Sequence, residues 1–239
     1  MKNKMKIEIW SDVMCPFCYI GKRNLETALE QFPHKNHIEI IWKSYQLDPA
    51  FPESVTEDYQ QYLVKRKGMT AEQVKGMLNN VTQTAKKVGL DYYLDKSVIV
   101  NSLNAHKFIQ FSKTKGLGDQ AEEYLFHAFF TEAKNIADLD TLTQIGKDIG
   151  LDETEIKTAF TDEKYAAQVN HDVQEAQQIG VQGVPFFVLD RKYAVSGAQP
   201  PQAFLESLEK SFSEWREKNP VTKLDITQGQ SCTPDGICE

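Results

Sequence analysis

Cys15-Pro16-Phe17-Cys18 lies where a strand hands over to a helix, and that junction restricts the fold more than any other feature of the chain. Met5-Lys6-Ile7-Glu8-Ile9-Trp10 precedes it, alternating apolar and charged residues as a half-buried strand does. Leu25, Ala28, Leu29 and Phe32 follow at helical spacing. Two cysteines three apart on a first helical turn can close a disulfide across it. The first then sits beside unpaired backbone N–H groups and the positive end of the helix dipole. Both favour a thiolate, so the pKa of Cys15 is expected below the ~8.5 of a free thiol. Only the thiolate attacks a disulfide. Cys18, one turn deeper, suits the resolving role of breaking the mixed disulfide that Cys15 makes. Pro16 fits the first helical position because it has no N–H to leave unpaired. Phe17 adds no charge, and can cover the sulfurs or offer a flat apolar face to a substrate peptide. Half of a zinc site and a pair of inert core thiols are the competing readings. The other cysteines, Cys232 and Cys238, lie far away, there is no tight His/Cys cluster, and Pro16 at the junction marks an exposed end. A redox dithiol is favoured.

The chain has 239 residues, 41% of them hydrophobic, enough for one large domain or two small ones. A net charge of −7 disfavours nucleic acid as a partner. No apolar run is long enough for a membrane span, and the basic Met1-Lys2-Asn3-Lys4 leads into a strand rather than the apolar core of a secretory signal. A cytoplasmic location is expected, where paired cysteines more often do chemistry or bind metal than form stable disulfides. Nothing requires more than a monomer.

His37-Ile38-Glu39-Ile40-Ile41-Trp42-Lys43-Ser44-Tyr45 reads as a second strand, and with the first strand and its helix makes a βαβ unit with parallel pairing. Asp48-Pro49-Ala50-Phe51-Pro52 breaks the pattern. A mainly helical stretch follows. Thr70 with Gln73 and Asp152 with Glu155 look like capping boxes. Gly68, Gly89, Gly116, Gly118, Gly150 and Gly180 punctuate it as helix ends, and Leu139, Leu142, Ile145 and Ile149 form an apolar stripe expected in the core. Two short strands, Pro185-Phe186-Phe187-Val188-Leu189 and Tyr193-Ala194-Val195-Ser196-Gly197, make a hairpin around Asp190-Arg191-Lys192. Pro200 and Pro201 open a last helix that stops near Asn219-Pro220. The order β-α-β, helical block, β-β-α predicts an α/β chain with a thioredoxin fold split by an inserted all-helical domain. The expected division is 1–50 plus 180–220 for the discontinuous thioredoxin-like domain, 51–179 for the insertion, and 221–239 for a tail with a second cysteine pair.

Ser11-Asp12-Val13-Met14-Cys15-Pro16-Phe17-Cys18-Tyr19-Ile20-Gly21 resembles the active-site segment of DsbA-family thiol-disulfide oxidoreductases, especially the cytoplasmic FrnE-type branch. The segments 101–107 and 129–136 resemble that branch's helical insert, and 180–188 and 194–199 its closing half. The resemblance implies disulfide exchange with protein thiols, or with glutathione as redox partner, and needs no metal or organic cofactor. It also implies a cis bond between Val184 and Pro185, set against the dithiol, where the backbone of Val184 can pair with a substrate strand. Sequence alone gives an X-Pro bond only about a 5–6% chance of being cis, and Pro185 also reads simply as a strand-opening proline. The founding periplasmic enzymes carry histidine where this chain has Phe17, so a less oxidising couple is expected. Kappa-class glutathione transferases and chromene carboxylate isomerases share the split fold, but commonly place serine at the first cysteine position. A groove-binding module without turnover, such as a chaperone, is a third reading.

Asp12 is a candidate proton relay to Cys18, or else a turn residue bonding its own backbone. His106 is expected to be partly buried and hydrogen-bonded, with lining of the groove between domains as the competing reading. His34 and His37 flank Pro33 in a loop and are expected to be solvated. Cys232 and Cys238 flank a turn-forming Pro234-Asp235-Gly236. They form either a shuttle trading disulfides with Cys15 and Cys18, a local disulfide, or two idle thiols. FrnE-type relatives can carry a comparable pair.

Overall fold

The computed structural model describes residues 4–52 and 57–220. Strand β1 (Met5–Ser11) runs into helix α1 (Pro16–Gln31), and a single 3-10 turn leads to β2 (Ile38–Ser44). After the helical region come β5 (Phe186–Leu189), β6 (Tyr193–Ser196) and α9 (Pro201–Lys218). The sheet order is β2-β1-β5-β6. β1 pairs parallel with β2 and antiparallel with β5. This is a thioredoxin fold with a helical insertion.

β1 differs from its half-buried expectation. It is central, hydrogen-bonded on both edges, and every residue but Lys6 is buried. Met5, Ile7 and Ile9 join Phe187 from β5, Leu25 and Ala28 from α1, and Phe204 and Leu208 from α9 in the main core. Trp10 packs on the other face with Ala176, Val181 and Val188. Glu8 shares that face and is only 5% exposed; Arg191 pairs with it, which makes a carboxylate tolerable there.

The insertion holds β3 (Glu57–Asp58), α2 (Tyr59–Lys67), α3 (Ala71–Lys86), β4 (Val98–Ile99), α4 (Leu103–Thr114), α5 (Gly118–Phe130), α6 (Leu139–Asp148), α7 (Glu153–Thr161) and α8 (Glu163–Gln178). The antiparallel β3–β4 pair is too short to leave a periodic signal. Thr70 and Gln73 form the reciprocal capping box, whereas Asp152 caps α7 alone and Glu155 turns its side chain to Lys115. Gly118 opens α5 rather than closing a helix. Leu142 and Ile145 are buried, but Leu139, at the first position of α6, is 47% exposed.

Helix α8 ends the stretch read as insertion, yet it packs on the sheet. The Trp10 indole N–H donates to the Asp172 carbonyl at 2.8 Å. The Asp172 carboxylate accepts from the Ser44 amide at 3.0 Å, Gln110 Nε2 at 2.6 Å and Lys43 Nζ at 2.9 Å. One buried side chain thus ties α8 to β2 and α4. His34 is exposed, as expected, and lays one ring face on Phe212, with centroids 4.6 Å apart.

Candidate active site

The end of β1 turns through Asp12-Val13-Met14, and Cys15 is the N-cap of α1 with Pro16 at the first helical turn. The Cys15 amide donates to the Asp12 carbonyl and the Cys18 amide to the Cys15 carbonyl, both at 2.9 Å. These bonds set the two sulfurs on one turn. Both are free thiols; Cys15 is 5% exposed and Cys18 1%. Burial pushes the Cys18 thiol well above its ordinary range, and the neighbouring Cys15 pushes it further, while contacts from the Ser11 hydroxyl and the Asp12 backbone oppose the rise. Cys18 therefore holds its proton until something removes it.

Strand pairing brings the second half of the fold to the dithiol. Trp10 faces Phe186 across the sheet, which sets Pro185 level with the end of β1. The Val184–Pro185 bond is cis. The Cys15 thiol donates to the Val184 carbonyl at 3.5 Å. Gly21 keeps that loop close, because a Cβ there would lie 3.0 Å from Pro185 Cγ and 3.1 Å from Phe187 Cζ. Gly21→Val is therefore expected to cost about 2 kcal/mol by overpacking and to slow exchange at Cys15. Denaturant unfolding and a thiol-exchange assay check both; unchanged values would contradict this packing role.

Asp12 is fully buried. Its carboxylate oxygens accept from the Met14 amide at 3.1 Å and the Leu47 amide at 2.7 Å, so the backbone-bonding alternative describes its geometry. His106 departs from expectation. It is 1% exposed rather than partly buried, and among the described residues neither ring nitrogen has a hydrogen-bond partner. Its Nε2 lies 3.7 Å from Asp12 Oδ1. Cys232 and Cys238 lie outside the described residues.

Sequence reasoning missed Glu122, although the helical wheel carried the signal: Phe126 and Phe129, four and seven residues on, share its face and are buried. Glu122 is 1% exposed and accepts from the Ser11 hydroxyl at 2.8 Å. Burial raises its carboxyl from 4.5 to about 7; His106 and the Ser11 bond pull it down, and Asp119 and Asp12 push it up. A carboxyl raised in the folded state stabilises that state fully below its unfolded value, and loses this contribution as pH rises through the folded value. The shift corresponds to on the order of 3 kcal/mol between about pH 4.5 and pH 8. The stability difference between wild type and Glu122→Gln is expected to move by that amount in favour of the variant over this window, read by denaturant melts. A constant difference would contradict it.

A groove of about 890 Å³ opens beside the dithiol between α2 and α3. Met14, Pro16 and Phe17 from the active-site turn form one wall; Leu63, Met69 and Met77 face them. Phe17 is 44% exposed. On the opposite side of α1, Tyr19 stacks on Phe126 at 4.8 Å, and the Tyr92 hydroxyl donates to the Pro16 carbonyl at 2.8 Å. The insertion thereby fixes the turn that carries the cysteines.

Residues 6–209 match the family described as DSBA-like thioredoxin domain. The chain belongs to that family. The probable DsbA oxidoreductase SCO1869 from Streptomyces coelicolor is 32% identical, with 98% of each chain covered and a TM-score of 0.83. The uncharacterized protein YwbO of Bacillus subtilis (strain 168) is 25% identical over 217 residues, covering 89% of this chain and 98% of that one. The cytosolic disulfide reductase DsbM from Pseudomonas aeruginosa shares the fold, with 16% identity, 87% and 99% coverage and a TM-score of 0.62. No helix among the described residues is long and apolar enough to cross a membrane. The family is one of DsbA-like thiol oxidoreductases.

Proposed function

We propose that this chain is a cytoplasmic thiol-disulfide oxidoreductase acting on cysteines of polypeptides. Cys15 attacks the substrate disulfide, Cys18 resolves the mixed disulfide, and the Val184–Pro185 loop holds an extended substrate strand by its backbone. The observation that carries this reading is the position of Cys15: its sulfur lies 3.5 Å from the Val184 carbonyl, and its chain neighbours line the apolar groove. The methionines there adapt to varied apolar side chains, which suits a substrate class rather than one partner. Two molecules of glutathione, leaving as glutathione disulfide, or one dithiol close the cycle as electron donor. No metal or organic cofactor takes part, because the dithiol carries the electrons.

Phe17 sets the direction. A histidinium at that position would favour the Cys15 thiolate and raise oxidising power, and Phe17 offers no such charge. The couple is expected nearer the about −270 mV of thioredoxin than the about −120 mV of DsbA. A titration against glutathione that gives the higher value would contradict this.

Reduction of insulin or of a peptide disulfide with a dithiol donor tests the activity, with glutathione conjugation to an electrophile run beside it. Disulfide reduction without conjugation is expected. Conjugation without disulfide exchange would transfer the chain to the glutathione-dependent isomerase and transferase reading. Client protection that survives loss of both cysteines, with no turnover, would make it a binding module.

A further inference from the structure

We propose that the groove beside the dithiol selects acidic client segments: an extended polypeptide lies along α2 with apolar side chains in the groove, and a carboxylate three or four residues from its reacting cysteine pairs with Lys67. This deepens the oxidoreductase reading above and rests on it.

Helix α2 walls the groove along its whole length. Tyr59, Tyr62, Leu63, Arg66 and Lys67 line it, and their spacing puts them on a single helix face. Tyr59 is the first residue of the helix and Lys67 the last. At a helical rise of about 1.5 Å per residue they stand about 12 Å apart. An extended strand covers that distance in roughly three to four residues.

The Tyr59 end lies nearer the dithiol. Its ring meets Phe129 edge-on, with centroids 6.2 Å apart. Burial first, then the charges of Cys15 and Asp12, push its hydroxyl above the ordinary tyrosine range, so the hydroxyl keeps its proton and acts as a donor. Tyr59 is 5% exposed, and among the described residues its hydroxyl has no hydrogen-bond partner. A backbone carbonyl of a bound strand supplies the acceptor that this buried donor lacks.

The far end is cationic. Asp48 is the one acid among the described lining residues, and it is already held: the Tyr62 hydroxyl donates to its Oδ2 at 2.8 Å, and Arg66 Nη1 lies 3.4 Å from the same oxygen. Lys67 is exposed, and among the described residues it has no ion-pair partner. It is therefore an uncompensated cation at the groove's outer end, in a chain of net charge −7. Between the two ends Leu63 and Met77 offer apolar contact. That middle suits a polypeptide, because glutathione has no apolar side chain to place there, whereas a strand turns alternate side chains to one face.

Steady-state reduction of symmetric peptide disulfides by the full-length protein, with dithiothreitol as donor, tests the preference. The peptides carry phenylalanine beside their cysteine, and Asp, Gln or Lys three or four residues to either side. With wild type at low salt, Asp in place of Lys is expected to raise kcat/KM about fivefold to tenfold at one of these positions, mainly through KM. The ratio should fall at high salt. Lys67→Gln is expected to bring it near one, and Lys67→Glu to invert it. Tyr59→Phe is expected to lower kcat/KM about fivefold for every peptide and to leave the ratio as in wild type. Equal rates for Asp and Lys peptides in wild type, as a groove filled by a second copy of the chain would give, overturn the proposal. So does a preference that survives Lys67→Glu, or a Tyr59→Phe variant that matches wild type on every peptide. Bis(2-hydroxyethyl) disulfide, small and uncharged, is run beside the peptides. Its reduction by wild type leaves the oxidoreductase reading standing whatever the peptides show; no reduction of it or of any peptide overturns that reading and the proposal with it.

Discussion

Cys15→Ser is expected to reduce disulfide exchange to the uncatalysed background, while Cys18→Ala is expected to accumulate a mixed disulfide at Cys15. The asymmetry follows from position. Cys15 is the N-cap of α1, at the edge of the groove, and its sulfur meets the Val184 carbonyl. Cys18 is enclosed, and burial holds its proton on. Removing Cys15 removes the attacking sulfur. Removing Cys18 leaves attack intact and deletes the exit from the covalent intermediate, so turnover falls because enzyme is trapped. Non-reducing gels and peptide mapping after incubation with a disulfide-bearing polypeptide read both outcomes. A trap at Cys18 in the Cys15→Ser variant, with turnover retained, would reverse the assigned roles. The Cys18→Ala map also decides the tail: a bond from Cys15 to Cys232 or Cys238 is the signature of a shuttle, and its absence leaves a local disulfide or idle thiols.

Asp172→Ala is expected to cost the fold about 3–5 kcal/mol, the range for breaking one partner out of a buried charge network. The carboxylate holds a backbone amide, a side-chain amide and an ammonium group from β2 and α4. Alanine leaves the Ser44 amide buried without its acceptor and takes one of two acceptors from Gln110 and from Lys43, and that desolvation, rather than a lost attraction, makes the cost large. Glu175 and Glu8 remain near Lys43 and recover part of its charge balance, but neither replaces the bond to the Ser44 amide. Asp172→Asn keeps one oxygen and should cost less. A shift of the thermal midpoint by roughly 10 °C is expected for alanine in a chain of this size. The effect should reach the active site as well, since α8 leads directly into the segment that ends at Pro185. A near-neutral Asp172→Ala variant would mean that water satisfies these groups.

The outer frame of the fold was legible because it is written locally. The alternation of β1, the helical spacing of Leu25, Ala28, Leu29 and Phe32, and the Pro200-Pro201 start of α9 each depend on neighbours within a few residues. The dithiol was legible for the same reason. What stayed hidden depends on residues far apart in sequence. Glu8 looked solvated until α8 and Arg191 covered its face of the sheet. His106 and Glu122 acquire their character only when α4 and α5 close over the end of β1. Ser11 and Glu122 stand 111 positions apart, so no spacing rule joins them. Leu139 was misjudged for the opposite reason: it continues a local stripe, but it opens α6, where no neighbour covers it. The groove likewise arises from packing α2 and α3 beside the active-site turn.

The most direct test of the account is to equilibrate the protein with defined ratios of reduced to oxidised glutathione, quench with an alkylating agent, and map the products by mass. Reversible loss of two hydrogens, located as a bond between Cys15 and Cys18 and undone by reductant, is the predicted result. Two thiols that stay alkylatable at every ratio, with no bond between them, would contradict it.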